Sequence, residues 1–208
     1  RGATILGIRC SEGVVLGAEE NVEPLEEEEY SWKIFKVDEH IGAAIVGLSS
    51  DARILIDQAR VYAQSNRLTY DEPIDTEVVT KRISDIKQLY TQHAGVRPFG
   101  VSLIFGGVDK TGSRLFGTHP SGTYRGFKAT AQGAGRETVL PILREEYREE
   151  MNLEETVKLA VKCLAKALEA RQLPPRIKMV VIPSATKKME MLSDKKIEGY
   201  MKELGVGK

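Results

Sequence analysis

Short apolar runs and alternating positions at the start of the chain predict two pairs of antiparallel strands. The first pair is Ala3–Cys10 and Val14–Ala18, with a turn at Ser11-Glu12-Gly13 between them. After an acidic segment, the second pair is Lys33–Val37 and Ile41–Leu48. Because side chains on a strand point alternately to its two faces, such short runs are typical of strands in antiparallel sheets.

Two helices are predicted next, because apolar residues then recur at intervals of three and four. The second of them follows a polar helix-start signal at Asp75-Thr76-Glu77. The positions that define the two apolar faces are Ala52, Leu55, Ile56, Ala59 and Ala63 in the first helix, and Val79, Ile83, Ile86 and Tyr90 in the second.

Strand patterns return in the second half of the chain. The predicted strands are Phe99–Phe105, Arg114–Phe116, Gly122–Tyr124 and Lys128–Ala131, and the glycine-rich segment Gly106–Gly112 is predicted to be the turn between the first two.

A second pair of helices follows, at Arg136–Tyr147 and after Asn152. Pro141 inside the first of these should remove a backbone hydrogen bond and kink the helix. The second begins with a capping-box arrangement and has the clearest apolar periodicity in the chain. A last strand at Lys178–Ile182 and a polar helix after Ser193 complete the pattern.

This order of strands, two helices, strands and two helices predicts an α+β fold. We expect a four-layer αββα sandwich, in which two antiparallel sheets stack face to face and a helix pair covers each outer face. The sequence contains no linker, low-complexity tract or fixed-period repeat, so we expect a single domain over residues 1–208.

Composition and charge exclude several classes of protein. The chain has 30 Lys and Arg against 30 Asp and Glu, which gives no global attraction to nucleic acid or to an anionic membrane. No apolar stretch approaches the ~20 residues that a membrane span requires. Cys10 and Cys163 lack metal spacing and are expected to be buried, reduced thiols. The chain begins inside a strand pattern without a methionine, so we expect it to be trimmed at its front.

The segment VGLSSDAR, residues 46–53, is the first candidate for chemistry. It fails as a nucleophile elbow because G-x-S-x-G requires glycine where Asp51 stands. Ser49, Ser50 and Asp51 are residue types that cap helix starts, and we predict that role for them. Capping does not explain Gly47-Leu48.

Other candidate motifs are weaker. Gly107–Gly112 lacks the Lys-Ser/Thr of a phosphate loop, and Gly133-Ala134-Gly135 lacks the rest of a dinucleotide fingerprint. The three histidines have no metal spacing and are expected in loops or at the surface: His40, His93 and His119. A triad of Asp109, His119 and Ser121 has no support in the spacing, so the residues alone predict no catalytic site, no metal and no cofactor.

Several strings, in the right order, resemble the proteasome family, and the resemblance runs from Arg1 to the last strand. The strings are RGATILGIRCSEGVVLGA, KVDEHIGAAIVGLSSDARILIDQAR, YTQHAGVRPFGVSLIFGGVD and HPSGTYRGFKATAQGAG. The third is typical of α-type subunits, and the set is most similar to archaeal ones. The resemblance implies the fold of N-terminal-nucleophile hydrolases.

The resemblance also implies that this chain does not catalyse hydrolysis. In the catalytic β type, an N-terminal threonine attacks the peptide carbonyl. Aligned on Gly7, that position here is Ala3, which has no hydroxyl. The acidic partner matches Glu19, Lys33 matches the strand that carries the family's lysine, and the helper serine is replaced by Ala134.

The implied role is that of a cytoplasmic, non-catalytic α subunit of the 20S proteasome, a threonine-type endopeptidase complex that degrades proteins with ATP-dependent activators. Its implied partners are other α subunits in a heptameric ring, β subunits, the C-terminal tails of an ATPase regulatory particle and unfolded protein substrates. The alternatives are an active N-terminal-nucleophile peptidase and a diverged ring-forming binding protein.

Two sites follow from the same resemblance. A pocket for activator tails matches Lys33, Gly47 and Leu48, where Gly47 would let a peptide backbone come close and Leu48 would be an apolar wall. An axial constriction loop matches His93-Ala94-Gly95-Val96-Arg97. Trp32 stands where the family usually has glutamate. The gate segment and helix that α-type subunits carry before the first string are expected to be lacking here, so an assembled complex should admit peptides without an activator.

Overall fold

The computed structural model describes residues 2–208 and has two five-stranded antiparallel sheets and five α-helices. The strands are β1 Ile5–Cys10, β2 Gly13–Glu19, β3 Ile34–Asp38, β4 Ile41–Gly47, β5 Val101–Asp109, β6 Gly112–Thr118, β7 Tyr124–Gly126, β8 Ala129–Gln132, β9 Ile177–Pro183 and β10 Glu190–Met191. The helices are α1 Ser49–Tyr70, α2 Thr76–Gln92, α3 Arg136–Glu146, α4 Leu153–Ala170 and α5 Asp194–Leu204. A short 3₁₀ helix at Glu28–Ser31 and strand β10 were not predicted from the sequence.

The two sheets form the middle of a four-layer sandwich, as the sequence predicted. The first sheet has the strand order β10-β9-β2-β1-β8, and the second has the order β3-β4-β5-β6-β7. Helices α1 and α2 pack on the second sheet, and the core that includes α3, α4 and α5 residues packs on the first.

Strict alternation along the strands builds the three cores. In β1, Leu6 and Ile8 point to the helices while Ile5 points between the sheets. In β4, Ile41, Ala43 and Ile45 similarly point to α1 and α2. Because both faces of the central strands are buried, their sequences are apolar at almost every position.

The helices begin and end near the predicted positions. The predicted faces of α1 and α4 are buried, and the Asn152 side chain accepts a hydrogen bond from the Glu155 amide at 2.8 Å, which caps α4 as predicted. Ser193 caps α5 in the same way. Helix α3 continues through Pro141 to Glu146. No helix among residues 2–208 combines the length and apolarity that a membrane crossing needs.

The prediction of a turn over Gly106–Gly112 was wrong, because β5 continues to Asp109 and only Lys110 and Thr111 separate it from β6. The glycines serve packing between layers instead of turning the chain. A Cβ on Gly106 would lie 2.6 Å from Val14 Cγ1 in the other sheet, and one on Gly107 would lie 2.3 Å from Thr76 Oγ1. Side chains at these positions would push the layers apart.

Candidate functional site

Lys33 and Gly47-Leu48 lie at the same end of the second sheet. Lys33 directly precedes the edge strand β3, and its carbonyl accepts a hydrogen bond from the Ile45 amide at 2.8 Å. Gly47 is the last residue of the neighbouring strand β4. The antiparallel register therefore brings the three residues predicted to form the tail pocket to one edge of the sheet.

The backbone of Gly47 is held against the chain's own segment after the loop 93–97. Gly47 has a φ of +121°, and a Cβ there would lie 2.2 Å from the Gly100 carbonyl oxygen. The Leu48 amide donates to the same carbonyl at 3.0 Å, and the Leu48 side chain is 50% exposed. The backbone that comes close to Gly47 in this structure is therefore the chain's own, at Gly100.

The predicted capping role of Ser49, Ser50 and Asp51 was wrong. Leu48 is the N-cap residue of α1, and its side chain makes no capping hydrogen bond. The buried Asp51 carboxylate instead accepts three hydrogen bonds at 2.7 Å each, two from Arg97 and one from the Gly100 amide. The Arg97 guanidinium, together with the Gly100 amide, holds the pKa of the Asp51 carboxyl below its ordinary value. The donors to Asp51 are therefore residues distant in sequence, and not the amides of its own helix.

The segment predicted to be the axial constriction loop is exposed throughout. It follows α2, and its residues His93, Ala94, Gly95, Val96 and Arg97 all have exposed side chains or surfaces. Arg97 anchors the segment to the first turn of α1 through its ion pair with Asp51. Gly100 is hydrogen-bonded to both Asp51 and Leu48, so it links the anchor of this loop to the Gly47-Leu48 pair.

Glu19, the residue predicted to match the acidic partner of β-type subunits, lies in a closed network of hydrogen bonds. The Glu19 carboxylate is 3% exposed, accepts a hydrogen bond from the Thr4 amide at 3.0 Å and forms an ion pair with Arg171. The Thr4 hydroxyl accepts a hydrogen bond from the Gly135 amide at 2.7 Å. Both carboxylate oxygens of Glu19 are therefore already engaged, one with Arg171 and one with the backbone.

A cleft with a volume of about 610 Å³ lies above this network. Gly2, Gly47, Ala134 and Arg171 are among its lining residues, and Ser102 supplies a hydroxyl. Among the lining residues that the structure describes, none is a histidine, lysine or carboxylate that could act as a general base for Ser102.

Lys87 is a buried cation that the sequence analysis missed. Its ammonium is wholly buried between α2 and the second sheet, and it donates to the Val101 carbonyl at 2.6 Å and to the Thr118 hydroxyl at 2.9 Å. Burial lowers the pKa of Lys87 to about 7. The sequence did contain a signal of this burial, because Lys87 lies four residues after Ile83 and therefore on the same, apolar face of α2.

The remaining candidates do not form a catalytic or metal site. His40 lies in the turn between β3 and β4, in agreement with the expectation of a loop or surface position, but it is only 4% exposed and contacts the Ile74 carbonyl through Nε2 at 2.7 Å. His119 contacts Ser121 at 2.9 Å, but Asp109 is bonded to Thr76 and Thr111 instead. Residues 2–208 contain no cluster of three His, Cys, Asp or Glu residues arranged to hold a metal ion.

Comparison with known proteins gives consistent matches over the chain. The family model described as "Proteasome subunit" matches residues 1–182. The chain is 46% identical to the "Proteasome subunit alpha" of Methanothermobacter thermautotrophicus, over 100% of this chain and 84% of that protein. It is 48% identical to the protein of the same name from Methanopyrus kandleri, over 95% of this chain and 80% of that protein. It is 45% identical to the "Proteasome subunit alpha" of Pyrococcus horikoshii, over 98% of this chain and 78% of that protein.

Proposed function

Because the chain belongs to the proteasome subunit family, and to its α-type branch, we propose that it is a non-catalytic ring subunit of the 20S core particle. In this role, copies of the chain form a heptameric outer ring in the cytoplasm and stack on a ring of proteolytic β subunits. The ring admits unfolded proteins through its axis, with His93–Arg97 lining the constriction.

One observation carries the non-catalytic part of the proposal. The position that matches the nucleophile is Ala3, and the matching acid, Glu19, is bonded to Arg171 and to the Thr4 amide. Nucleophilic catalysis needs a hydroxyl or thiol and a base that can take its proton. Ala3 has neither a hydroxyl nor a thiol and both oxygens of Glu19 are already bonded, so hydrolysis in the assembled particle belongs to the β subunits.

The test is the native mass and the peptidase activity of the protein with and without a β subunit. Alone, the chain should form rings that cleave no fluorogenic peptide, and with a β subunit it should form a larger particle that does. A monomeric chain that never associates with a β subunit would refute the ring, and turnover that copurifies with this chain alone would refute the non-catalytic assignment.

The surface at Lys33, Gly47 and Leu48 supports the second part of the proposal, a pocket for the C-terminal tails of an ATPase activator. Lys33 directly precedes the edge strand β3, and a lysine ammonium is a compact charge suited to a terminal carboxylate. Leu48 is half exposed at the same end of the sheet and would supply an apolar contact for the residues that precede that carboxylate.

Replacing Lys33 with alanine should weaken the binding of activator tail peptides to the assembled ring at least tenfold. The reason is the loss of a charge-assisted hydrogen bond to the tail carboxylate, a class of bond worth about 1.5–3 kcal/mol. Fluorescence polarisation with a labelled tail peptide measures the affinity, and native mass confirms that the ring is intact. Lys36→Ala, at an exposed position on the same strand, is the matched control. Equal affinities of the wild type and the Lys33 variant would rule out the pocket.

A further inference from the structure

A second large cavity lies at the opposite edge of the second sheet from Lys33. Its volume is about 600 Å³, and it opens between β7 and β8, beside the start of α3. β7 is the edge strand of the second sheet, and β8 is the edge strand of the first. We call it the arginine cavity, after Arg125 and Arg136 in its lining.

The charge of the arginine cavity is one-sided. Arg125, Arg136 and His119 line it, and none of the lining residues that the structure describes is Asp or Glu. Within residues 2–208, one ion pair engages these side chains; it joins Arg136 to Glu137 at 3.5 Å, where both side chains are at least half exposed. Such an exposed pair contributes little, so both guanidinium groups remain available for an anionic partner.

The cavity also has an apolar component. Phe127 lines it and packs from its other side on the core between the sheets, and the half-buried ring of Tyr124 lines it nearby. Protein interfaces commonly combine an apolar anchor at the centre with charged groups at the rim. The chemistry of the cavity therefore suits an acidic segment that carries an exposed aliphatic side chain.

The chain itself contains such a segment, Glu23–Glu29, which we call the acidic loop. It connects β2 to β3, and five of its seven residues are glutamates. Leu25 within it is 100% exposed, and a backbone hydrogen bond from Glu26 to Glu23 turns the chain around it. Nothing within residues 2–208 covers the Leu25 side chain, so it is available for an apolar contact with a partner.

The positions of the two surfaces determine what kind of contact they can make. The acidic loop leads into β3 and the arginine cavity adjoins β7, at opposite ends of the strand order β3-β4-β5-β6-β7. In a twofold dimer, the acidic loop of each copy would have to reach the arginine cavity of the other within one interface, which their positions on opposite edges do not favour. Complementary surfaces on opposite edges instead join head to tail, which is the arrangement that closes into rings.

We propose that the acidic loop of each copy docks into the arginine cavity of the next copy in the ring. Leu25 packs on Phe127 and Tyr124, and the carboxylates of Glu26 and Glu27 face Arg125 and Arg136. This contact rests on the ring proposed above and identifies the surfaces that build it.

The test uses charge reversal on each surface and on both. The double variants Arg125→Glu/Arg136→Glu and Glu26→Arg/Glu27→Arg should each raise the concentration at which half of the chains are in rings at least tenfold, as measured by analytical ultracentrifugation. The quadruple variant restores opposite charges across the contact and should return to within threefold of the wild type. Lys195→Glu/Lys196→Glu, at exposed positions on α5, changes the net charge equally and should have no effect.

Thermal unfolding of each variant separates assembly from folding, and Arg125→Gln/Arg136→Gln replaces the first variant if it fails to fold. Rings that persist unchanged in both double variants would overturn this contact while leaving the proposed ring intact. A quadruple variant that assembles no better than the double variants would also overturn it. A wild-type chain that forms no ring would overturn the proposed function and this contact together.

Discussion

At the scale of single residues, two buried charges are accommodated in opposite ways. The Asp51 carboxylate has a guanidinium partner, and the charged state is favoured because Arg97 lowers its pKa. The Lys87 ammonium has two neutral acceptors and no carboxylate partner among its hydrogen bonds, and burial lowers its pKa to about 7. The first charge ties two segments together, whereas the second makes stability depend on pH.

Lys87 should make the protein more stable as the pH rises above 7. The pKa is near 7 when the chain is folded and near 10.4 when it is unfolded, so between these values the unfolded chain binds more protons. The stability that Lys87 contributes is therefore complete above the unfolded pKa and is lost as the pH falls toward 7. Urea unfolding of the wild type and of Lys87→Met measures this difference.

Between pH 7.5 and pH 9, the free energy of unfolding of the wild type should rise relative to that of Lys87→Met, by up to about 1.4 kcal/mol per pH unit. Lys81→Met removes an exposed lysine from the same helix and should show no such slope. A pH-independent difference for Lys87→Met would mean that the amine stays charged in the folded protein.

Gly47→Ala should destabilise the fold by more than about 1 kcal/mol. The φ of +121° is unfavourable for alanine, and its Cβ would collide with the Gly100 carbonyl. Gly199→Ala is the control with the opposite expected sign, because Gly199 lies inside α5 with open space around a Cβ, and alanine there should add about 0.5–1 kcal/mol. Equal midpoints of thermal unfolding for the two variants would contradict this account.

At the scale of secondary-structure elements, the first turn of α1 organises the segment that follows α2. Asp51 on α1 bonds to Arg97 and to the Gly100 amide, and Gly100 in turn bonds to Leu48. The loop at residues 93–97 has no other anchor among the side-chain hydrogen bonds described above. Its order should therefore depend on the geometry of one ion pair.

Arg97→Lys should increase amide hydrogen exchange in residues 93–97 and leave exchange in α4 unchanged. Lysine keeps the charge but cannot make the two parallel hydrogen bonds that the guanidinium makes to Asp51. Arg53→Lys, at an exposed position on α1, is the matched control. Exchange rates in the loop that match those of the wild type would show that the ion pair does not order it.

At the scale of the whole molecule, the sandwich places a cleft above a bonded network that joins Glu19, Thr4, Gly135 and Arg171. Glu19 and Arg171 come from opposite ends of the chain and meet beneath the cleft because β2 and α4 pack in adjacent layers. Both carboxylate oxygens of Glu19 are bonded within this network.

Restoring the nucleophile alone should not restore activity, so Ala3→Thr is expected to hydrolyse no fluorogenic peptide. The added hydroxyl would still lack a base, because the nitrogen of residue 3 is in a peptide bond to Gly2 and is no free amine, and both oxygens of Glu19 are bonded to Arg171 and the Thr4 amide. A chromogenic peptide assay over several hours measures residual turnover, with the unmodified chain as the control. Turnover by Ala3→Thr above that of the unmodified chain would show that the network is no barrier.

The sequence by itself determined the architecture and the local helix signals. Apolar periodicity identified the faces of α1 and α4, and Asn152 marked the start of α4, because these patterns depend on residues within one or two turns of each other. The resemblance added the family, which the comparisons then supported over the full chain.

Only the tertiary structure decided what the polar residues do. Asp51 is a residue type that often caps helices, yet its partner Arg97 is 46 residues away. Glu19 likewise bonds to Arg171, which is 152 residues away. The sequence alone predicted a turn at the glycines of β5, and only the packing of the opposite sheet and of α2 against them explains why they are glycines. A polar side chain bonds to whatever donor the strand order and layer packing bring within about 3 Å, and sequence spacing contains no information about that neighbour.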